Sequence, residues 1–173
     1  MQKKRFLFIV LALIPCILLF GCQAKPPDPF GFLSSNFSAE LNGTMGNVSF
    51  CVLITVENCD GGRFCRLVYS SPKALDGVEI ELLCGTDGVG VGSAAVKSPD
   101  GIEYTVNAAS VKGLCLPLYS LLAVSETNSV QKTDAGYLFT TSDGAERSLS
   151  SSGIPLSLSS SSITWNVRWF QSV

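Results

Sequence analysis

The stretch that decides the fold is residues 48–69, VSFCVLITVENCDGGRFCRLVY. Apolar residues occupy every second position from Val48 to Val56, and Asp60-Gly61-Gly62 is a turn sequence. Alternation with period two is typical of a half-buried β-strand. Two such runs separated by a short glycine-containing turn form a hairpin. We therefore predict a long β-hairpin over residues 48–69.

The same period continues outward on both sides of the hairpin. In the last segment Ile163, Trp165, Val167 and Trp169 are predicted to share one apolar face. The glycine-rich residues 85–92, in which Val89 and Val91 alternate with two of the glycines, indicate a weak strand or a mobile flap. Many short antiparallel strands predict a mainly β fold, a curved sheet or open barrel. The other alternating segments are residues 37–41, 78–84, 102–106, 137–141 and 146–149.

One helix is predicted within this pattern of strands. Pro117 suits a first helical turn, and Leu118, Leu121 and Leu122 follow at helical spacing. Such an apolar helix must be buried against the sheet. The three leucines, with Trp165, Val167 and Trp169, either line an apolar ligand cavity or simply form the core.

The N-terminus has the organisation of a secretory signal peptide. A basic segment at residues 3–5 precedes an apolar run at residues 6–20, which is shorter than the ~20 residues that span a bilayer. Its end, Leu19-Phe20-Gly21-Cys22, resembles the lipobox of bacterial lipoproteins. That resemblance implies cleavage after Gly21 and lipidation of Cys22. An uncleaved N-terminal anchor is the alternative.

These features divide the chain into three segments. Residues 1–21 are the predicted signal peptide, and residues 22–35 are a lipid-anchored, Pro-rich tether acting as a semi-rigid spacer. Residues 36–173 are the predicted β domain.

Composition excludes several classes of function. The chain has no histidine, which removes Ser-His-Asp and Cys-His catalysis and the commonest metal ligand. Without its signal peptide it keeps nine basic and fourteen acidic residues, a net charge of −5. This charge argues against nucleic-acid partners and against adhesion to anionic lipid by charge. We expect no enzyme, no cofactor and no metal, and membrane attachment through the lipid on Cys22.

Five cysteines remain besides Cys16 and Cys22. Free thiols, one or two disulfides, or a metal site are all open alternatives, although no Cys-x-x-Cys pair is present. Cys51 and Cys65 flank the hairpin turn and are a candidate cross-strand pair. The five are Cys51, Cys59, Cys65, Cys84 and Cys115.

The layout of residues 36–171 resembles the lipoprotein-carrier family of LolA and LolB type, in its Gram-positive lipoprotein branch. The resemblance lies in the opening strand Asn36 to Leu41, the long hairpin, Ser71-Pro72 before Leu75-Asp76-Gly77-Val78, the leucine helix, and Gly153-Ile154-Pro155-Leu156. It implies an incomplete β-barrel whose concave face is covered by one or two short helices and can hold acyl chains.

The expected function is non-catalytic binding of an apolar ligand, a lipid or the acyl group of another lipoprotein, in the concave face. The competing hypothesis is an interaction module at the cell envelope that presents loops to a protein partner and has a filled core. The Ser/Thr-rich tracts 140–152 and 157–162 are either binding loops or solvated turns, and Glu79 and Glu81 are interpreted as surface charges.

Overall fold

A computed structural model describes residues 25–172, so the predictions on the signal peptide and on Cys22 lie outside the described residues. Within that range the chain forms strands, one α-helix, α1 (Leu116–Leu122), and short 3-10 helices at Gly31–Ser34, Lys73–Leu75 and Ala108–Val111. The strands are β1 (Phe37–Met45), β2 (Val48–Cys59), β3 (Gly62–Ser71), β4 (Glu79–Cys84), β5 (Gly90–Lys97), β6 (Glu103–Asn107), β7 (Thr127–Thr133), β8 (Gly136–Thr141), β9 (Glu146–Leu149), β10 (Pro155–Ser159) and β11 (Ile163–Ser172).

All eleven of these strands belong to one antiparallel sheet, in the order β6-β5-β4-β3-β2-β1-β11-β10-β9-β8-β7. The sheet consists of two meanders, β1–β6 and β7–β11, joined where β1 pairs with β11. Among the described residues it does not close into a barrel. The predicted mainly β fold, an incomplete barrel with a short helix on its concave face, is confirmed.

The connection between the meanders explains why a helix covers the sheet. It leaves β6 at one edge and reaches β7 at the other, so residues 108–126 must cross a whole face. This connection contains the 3-10 helix Ala108–Val111 and α1, and both bury apolar side chains. The inner face of the sheet is the face that they cover, and the main core lies between them.

The predicted hairpin is confirmed as β2 and β3. Cys59 lies opposite Gly62, and Gly61 in the turn adopts a φ of 84°, a conformation that glycine reaches without steric cost. The apolar positions of β2, Phe50 to Val56 at every second residue, are all buried. Alternation therefore identified both the strand and its inner face.

The common face predicted for the last strand is interrupted by a β-bulge. Leu41 lies opposite Val167 and Glu40 lies opposite Trp169, so Arg168 is an extra residue in β11. The extra residue reverses which side chains point inward. Beyond it the even-numbered positions of β11 face the core.

The prediction is therefore wrong at Trp169, whose side chain is 45% exposed. Phe170 takes the inner position instead, and its ring stacks on Phe37 with 5.4 Å between the centroids. Trp165, before the bulge, is 1% exposed and lies in the core, as predicted.

Three strands have little or no alternation in the sequence. β5 contains three glycines or serines at its start, β7 is exposed at every position, and β10 lies in a serine-rich tract. Each of these strands pairs through its backbone with a hairpin partner that does alternate, namely β4, β8 and β9. These backbone hydrogen bonds form the strand although its own side chains do not predict it.

All five cysteines within the described range are free thiols. The candidate pair of Cys51 and Cys65 is wrong, because Cys51 lies opposite Ser71 and Cys65 lies opposite Val56. Cys65 is buried in the core, whereas Cys51 lies on the other face, where its thiol donates to Glu40 Oε1 at 3.4 Å.

Candidate ligand-binding site

Helix α1 packs its leucines into the inner face of the sheet. Leu118, Leu121 and Leu122 are each 0% exposed and belong to the main core, together with Trp165. Val167 is half-buried against the same core. The space directly beneath α1 is therefore filled by side chains. A role of these residues in lining a ligand cavity stays a prediction, and it requires α1 to move away from the sheet.

A hydrogen bond from the sheet holds the middle of α1. Trp165 Nε1 donates to Ser120 Oγ at 2.9 Å, and the same hydroxyl donates to Pro117 O at 2.9 Å. A buried indole N–H needs an acceptor, and Ser120 provides it. This bond fixes the face that α1 turns toward β11.

Arg147, from β9, holds the C-terminal end of α1. Its Nη1 donates to Leu121 O at 3.1 Å, and its Nη2 donates to Ser120 O at 2.9 Å and to Ala123 O at 3.2 Å. The last carbonyls of a helix have no partner within the helix and carry partial negative charge. The guanidinium therefore satisfies them and complements the helix dipole.

Arg147 is also one of the most deeply buried charges in the described structure, with 3% of its surface exposed. Its guanidinium lies 5.1 Å from the ring centroid of Phe30 and 6.0 Å from that of Phe32. Burial lowers the pKa of Arg147 to about 10, which leaves it charged at neutral pH, and nearby Asp143 acts in the opposite direction. Helix carbonyls and aromatic faces thus take the place of a directly bound carboxylate.

A cleft of about 260 Å³ opens beside α1, between the helix and strands β8–β11. Its walls combine apolar side chains with hydroxyls and the Asp143 carboxylate, so it suits an amphipathic group better than a bare hydrocarbon. The lining residues are Leu116, Tyr119, Ser120, Ala123 and Ser125 from the helix side, Thr141, Asp143, Ala145 and Arg147 from β8, β9 and the turn between them, and Leu158, Ser160, Ser162 and Ile163 from β10, β11 and the turn between them.

The polar rim of this cleft is ordered by its own hydrogen bonds. The Thr141 hydroxyl donates to Asp143, and the Ala145 N–H donates to the same carboxylate oxygen at 3.3 Å. These two donors hold the pKa of Asp143 below its usual value, the Thr141 hydroxyl being the larger cause. Asp143 is consequently ionised at neutral pH.

The beginning of the described chain runs along the domain. Residues 25–29 form one wall of a groove of about 510 Å³, with Thr127, Val130 and Phe139 on the other side. A second groove of about 290 Å³ lies between Phe32 and Phe170 and the loop at Gly153. Residues 25–29 of the tether therefore lie against the β7–β8 side of the sheet.

Sequence patterning identified α1 and Trp165 but not the residues that fix them. Arg147 lies in a four-residue strand of otherwise ordinary composition, and its burial was not predicted. Ser160 and Ser162 belong to the tract 157–162, for which the sequence predicts either binding loops or solvated turns, and they line the cleft. An arginine in an inward position of an alternating strand is the one signal that could have indicated Arg147.

Two classes of feature are absent from the described part of the chain. None of the helices in residues 25–172 is long and apolar enough to cross a membrane. The same residues contain no group of three or more Cys, Asp or Glu side chains arranged to hold a metal ion.

Comparison with known proteins supports the fold. No protein-family model matches the sequence, and no curated protein matches it. An uncharacterized conserved protein from Thermus thermophilus has a similar structure, with a TM-score of 0.53 and 11% identity over 82% of this chain and 81% of that one. At this identity the likeness concerns the fold alone.

Two other solved structures are more distant. A putative outer membrane lipoprotein-sorting protein domain from Vibrio parahaemolyticus has a TM-score of 0.45 and 10% identity, covering 82% of this chain and 86% of that one. A DUF1329 family protein from Desulfovibrio piger has a TM-score of 0.35 and 10% identity, covering 73% of this chain and 66% of that one. The class that the fold defines is an open antiparallel sheet of two meanders with a helix across its inner face.

Proposed function

We propose that this protein is a lipoprotein anchored to the cell membrane through Cys22, on the extracytoplasmic side, and that its domain binds an apolar ligand without catalysis. The ligand is a lipid or an acyl chain, as the resemblance to the LolA and LolB type of carrier implies. The observation that carries the proposal is the cleft beside α1, which opens on the concave face of the sheet between helix and strands.

The chemistry of the cleft supports an amphipathic ligand. Leu116, Leu158 and Ile163 provide apolar contact, while Ser160 and Ser162 provide hydroxyls at the rim. The volume of about 260 Å³ lies just below the roughly 300–1,000 Å³ of ordinary ligand sites. A short acyl segment or the first part of a longer chain fits this space, and a whole long chain requires α1 to move.

The anchor rests on residues 3–22 and is tested separately from the binding. Cys22→Ala in the full chain, expressed in a Gram-positive host, should remain unprocessed by the lipoprotein signal peptidase and unlabelled by a fatty-acid probe. Cys16→Ala is the matched control and should be processed and labelled normally. Cleavage after Gly21 with lipid labelling of the Cys22→Ala chain would refute the anchor.

Binding is tested by native mass spectrometry of the full chain released from detergent micelles, with palmitic acid supplied as the probe. We expect a bound palmitate whose occupancy falls about tenfold in Ala123→Phe, because the new ring fills the cleft. Ala109→Phe, at an exposed position of the 3-10 helix, should bind as the unchanged chain does. Absence of binding, or equal binding by both variants, would contradict a ligand in this cleft.

A specific observation also favours the second function, an interaction module. The three leucines of α1 leave no empty space beneath the helix, which is the packing expected of a domain that acts through its surface. In that case palmitic acid does not bind, and the anchor experiment gives the same result as before.

A further inference from the structure

Three buried thiols lie together on the inner face of the first meander. Cys65 is in β3, Cys84 is the last residue of β4, and Cys115 precedes α1, and all three are fully buried. Cys65 lies opposite Leu82, and Arg63 lies opposite Cys84. Cys65 and Cys84 are therefore on neighbouring strands, two positions apart, with their side chains on the same face.

The end of β4 approaches β3 closely at this point. A Cβ atom on Gly62 would lie 2.3 Å from the carbonyl oxygen of Cys84, so only glycine permits this approach. Diagonal neighbours on adjacent strands typically have Cβ atoms up to about 7–8 Å apart, and a disulfide needs about 3.5–4.5 Å. Cys84 is the last residue of β4 and is followed by Gly85, so the pair lies at the end of the ladder between β3 and β4.

The charges around the pair favour a reactive thiol at Cys84. Arg63 Nε and Nη1 are buried, and neither has a hydrogen-bond partner within the described structure. A hydrogen bond from Cys65 lowers the pKa of the Cys84 thiol, burial acts in the opposite direction, and the Arg63 guanidinium adds to the lowering. The interaction with Cys84, and then burial, raise the pKa of Cys65. Burial likewise raises the pKa of Cys115 to about 11.

We propose that Cys65 and Cys84 are a modification site, which a low-molecular-weight disulfide such as cystine converts to an intrachain disulfide between β3 and β4. Because both thiols are buried, the reaction requires the end of β4 to open locally so that cystine and water reach the pair. The Cys84 thiolate then attacks one sulfur of cystine and releases one cysteine thiolate, leaving a mixed disulfide on Cys84. Cys65 then loses its proton to solvent and attacks Cys84 Sγ, releasing the second cysteine. Two protein thiols are oxidised by two electrons, and one cystine is reduced to two cysteines.

The other cysteines do not fit this role. Cys51 faces the outer side of the sheet and bonds to Glu40, and Cys59 is exposed at the hairpin turn. Cys115 is near the pair but lies in the connection that carries α1, so a disulfide to it would shift α1 from its packing position on the sheet. The inference is independent of lipid binding and of the anchor.

The experiment uses the full chain in mild detergent, treated with cystine, alkylated and digested with trypsin without reduction. We expect residues 64–66 joined to residues 74–97, since trypsin separates the two cysteines. This species should be lost in Cys65→Ala and in Cys84→Ala and kept in Cys115→Ala. The melting temperature should rise on oxidation by about 5–10 °C in the unchanged chain and not in Cys84→Ala.

Two results would overturn the proposal. One is a folded, cystine-treated chain in which residues 64–66 remain alkylated and unlinked. The other is a linkage that involves Cys115, or that forms only after the chain is unfolded in urea. Each alanine variant should fold, because alanine keeps the small apolar character of a buried cysteine. Circular dichroism under reducing conditions checks this.

Discussion

The two meanders share one topology but differ in what their inner faces contain. In β1–β4 the inward side chains are aliphatic, aromatic or cysteine, such as Val52, Leu67 and Cys65, and they belong to the main core. In β8–β10 the inward positions include Thr141, Ala145 and Arg147, and the cleft lies there. The difference indicates that the first meander provides most of the main core, and it is the reason for proposing the ligand site in the second meander.

The largest predicted loss of stability concerns β11, which joins the second meander to the first. Trp165→Ala removes a core side chain and the donor to Ser120, so we expect a loss of about 3–5 kcal/mol in the free energy of unfolding. Trp169→Ala, four residues later but beyond the bulge, should change it by less than about 1 kcal/mol. Urea unfolding measures both, and equal losses would contradict the bulge.

The second comparison uses one leucine from each meander. Leu67→Ala in β3 should cost about 2–5 kcal/mol, because the side chain is enclosed on all sides. Leu158→Ala in β10 should cost less than about 2 kcal/mol, because part of its surroundings is the cleft and not other side chains. A larger loss at Leu158 than at Leu67 in chemical unfolding would reverse the roles given to the two meanders.

Two arginines provide a third contrast. Arg147→Gln leaves the C-terminal carbonyls of α1 without their donors, and we expect a loss of about 1–3 kcal/mol. Arg66→Gln on the outer face breaks an exposed ion pair with Glu79 and should cost less than about 1 kcal/mol. Hydrogen exchange of the α1 amides separates the two further, since only Arg147→Gln should speed it. Unchanged exchange would mean that Arg147 does not hold the helix.

The smallest effects are those of pH. Asp143 has a pKa below its usual value, so its hydrogen bonds stabilise the fold above about pH 4 and are lost as the pH falls through its lowered pKa. Thr141→Val should raise the pKa of Asp143, measured by NMR titration. Glu79, whose pKa is lowered by Arg66, should respond only to Arg66→Gln. A downward shift at Asp143 would contradict the donor role of Thr141.

Most strands of the first meander were predictable from the sequence, with β5 as the exception, whereas in the second meander β8, β9 and β11 were predictable and β7 and β10 were not. Alternation identifies β2 because its inner face is apolar at every second residue, and it identifies the closing strand up to the bulge. It cannot identify β7, which buries no side chain, or the extra residue at Arg168, since a bulge depends on the partner strand. The cleft was also not predictable, because it depends on small and polar inward residues brought together from distant strands.

Arg147 illustrates the same limit at the level of one residue. Its partners are the backbone carbonyls of Ser120, Leu121 and Ala123. Because every residue has a backbone carbonyl, the sequence does not indicate which ones Arg147 binds. The grouping of Cys65 and Cys84 likewise follows from the register of β3 and β4, which alternation alone does not determine. What the sequence predicts well is which face of a strand is buried, and what it predicts poorly is which strands lie side by side.

The most direct test of a ligand site in the second meander is photo-crosslinking of the full chain with a diazirine-bearing palmitic acid, followed by peptide mapping. The account predicts labelling at the walls of the cleft, on residues 116–125 and 158–163. Ala123→Phe should reduce that labelling, and Ala109→Phe should leave it unchanged. Labelling confined to the outer face, or spread evenly over both meanders, would contradict it.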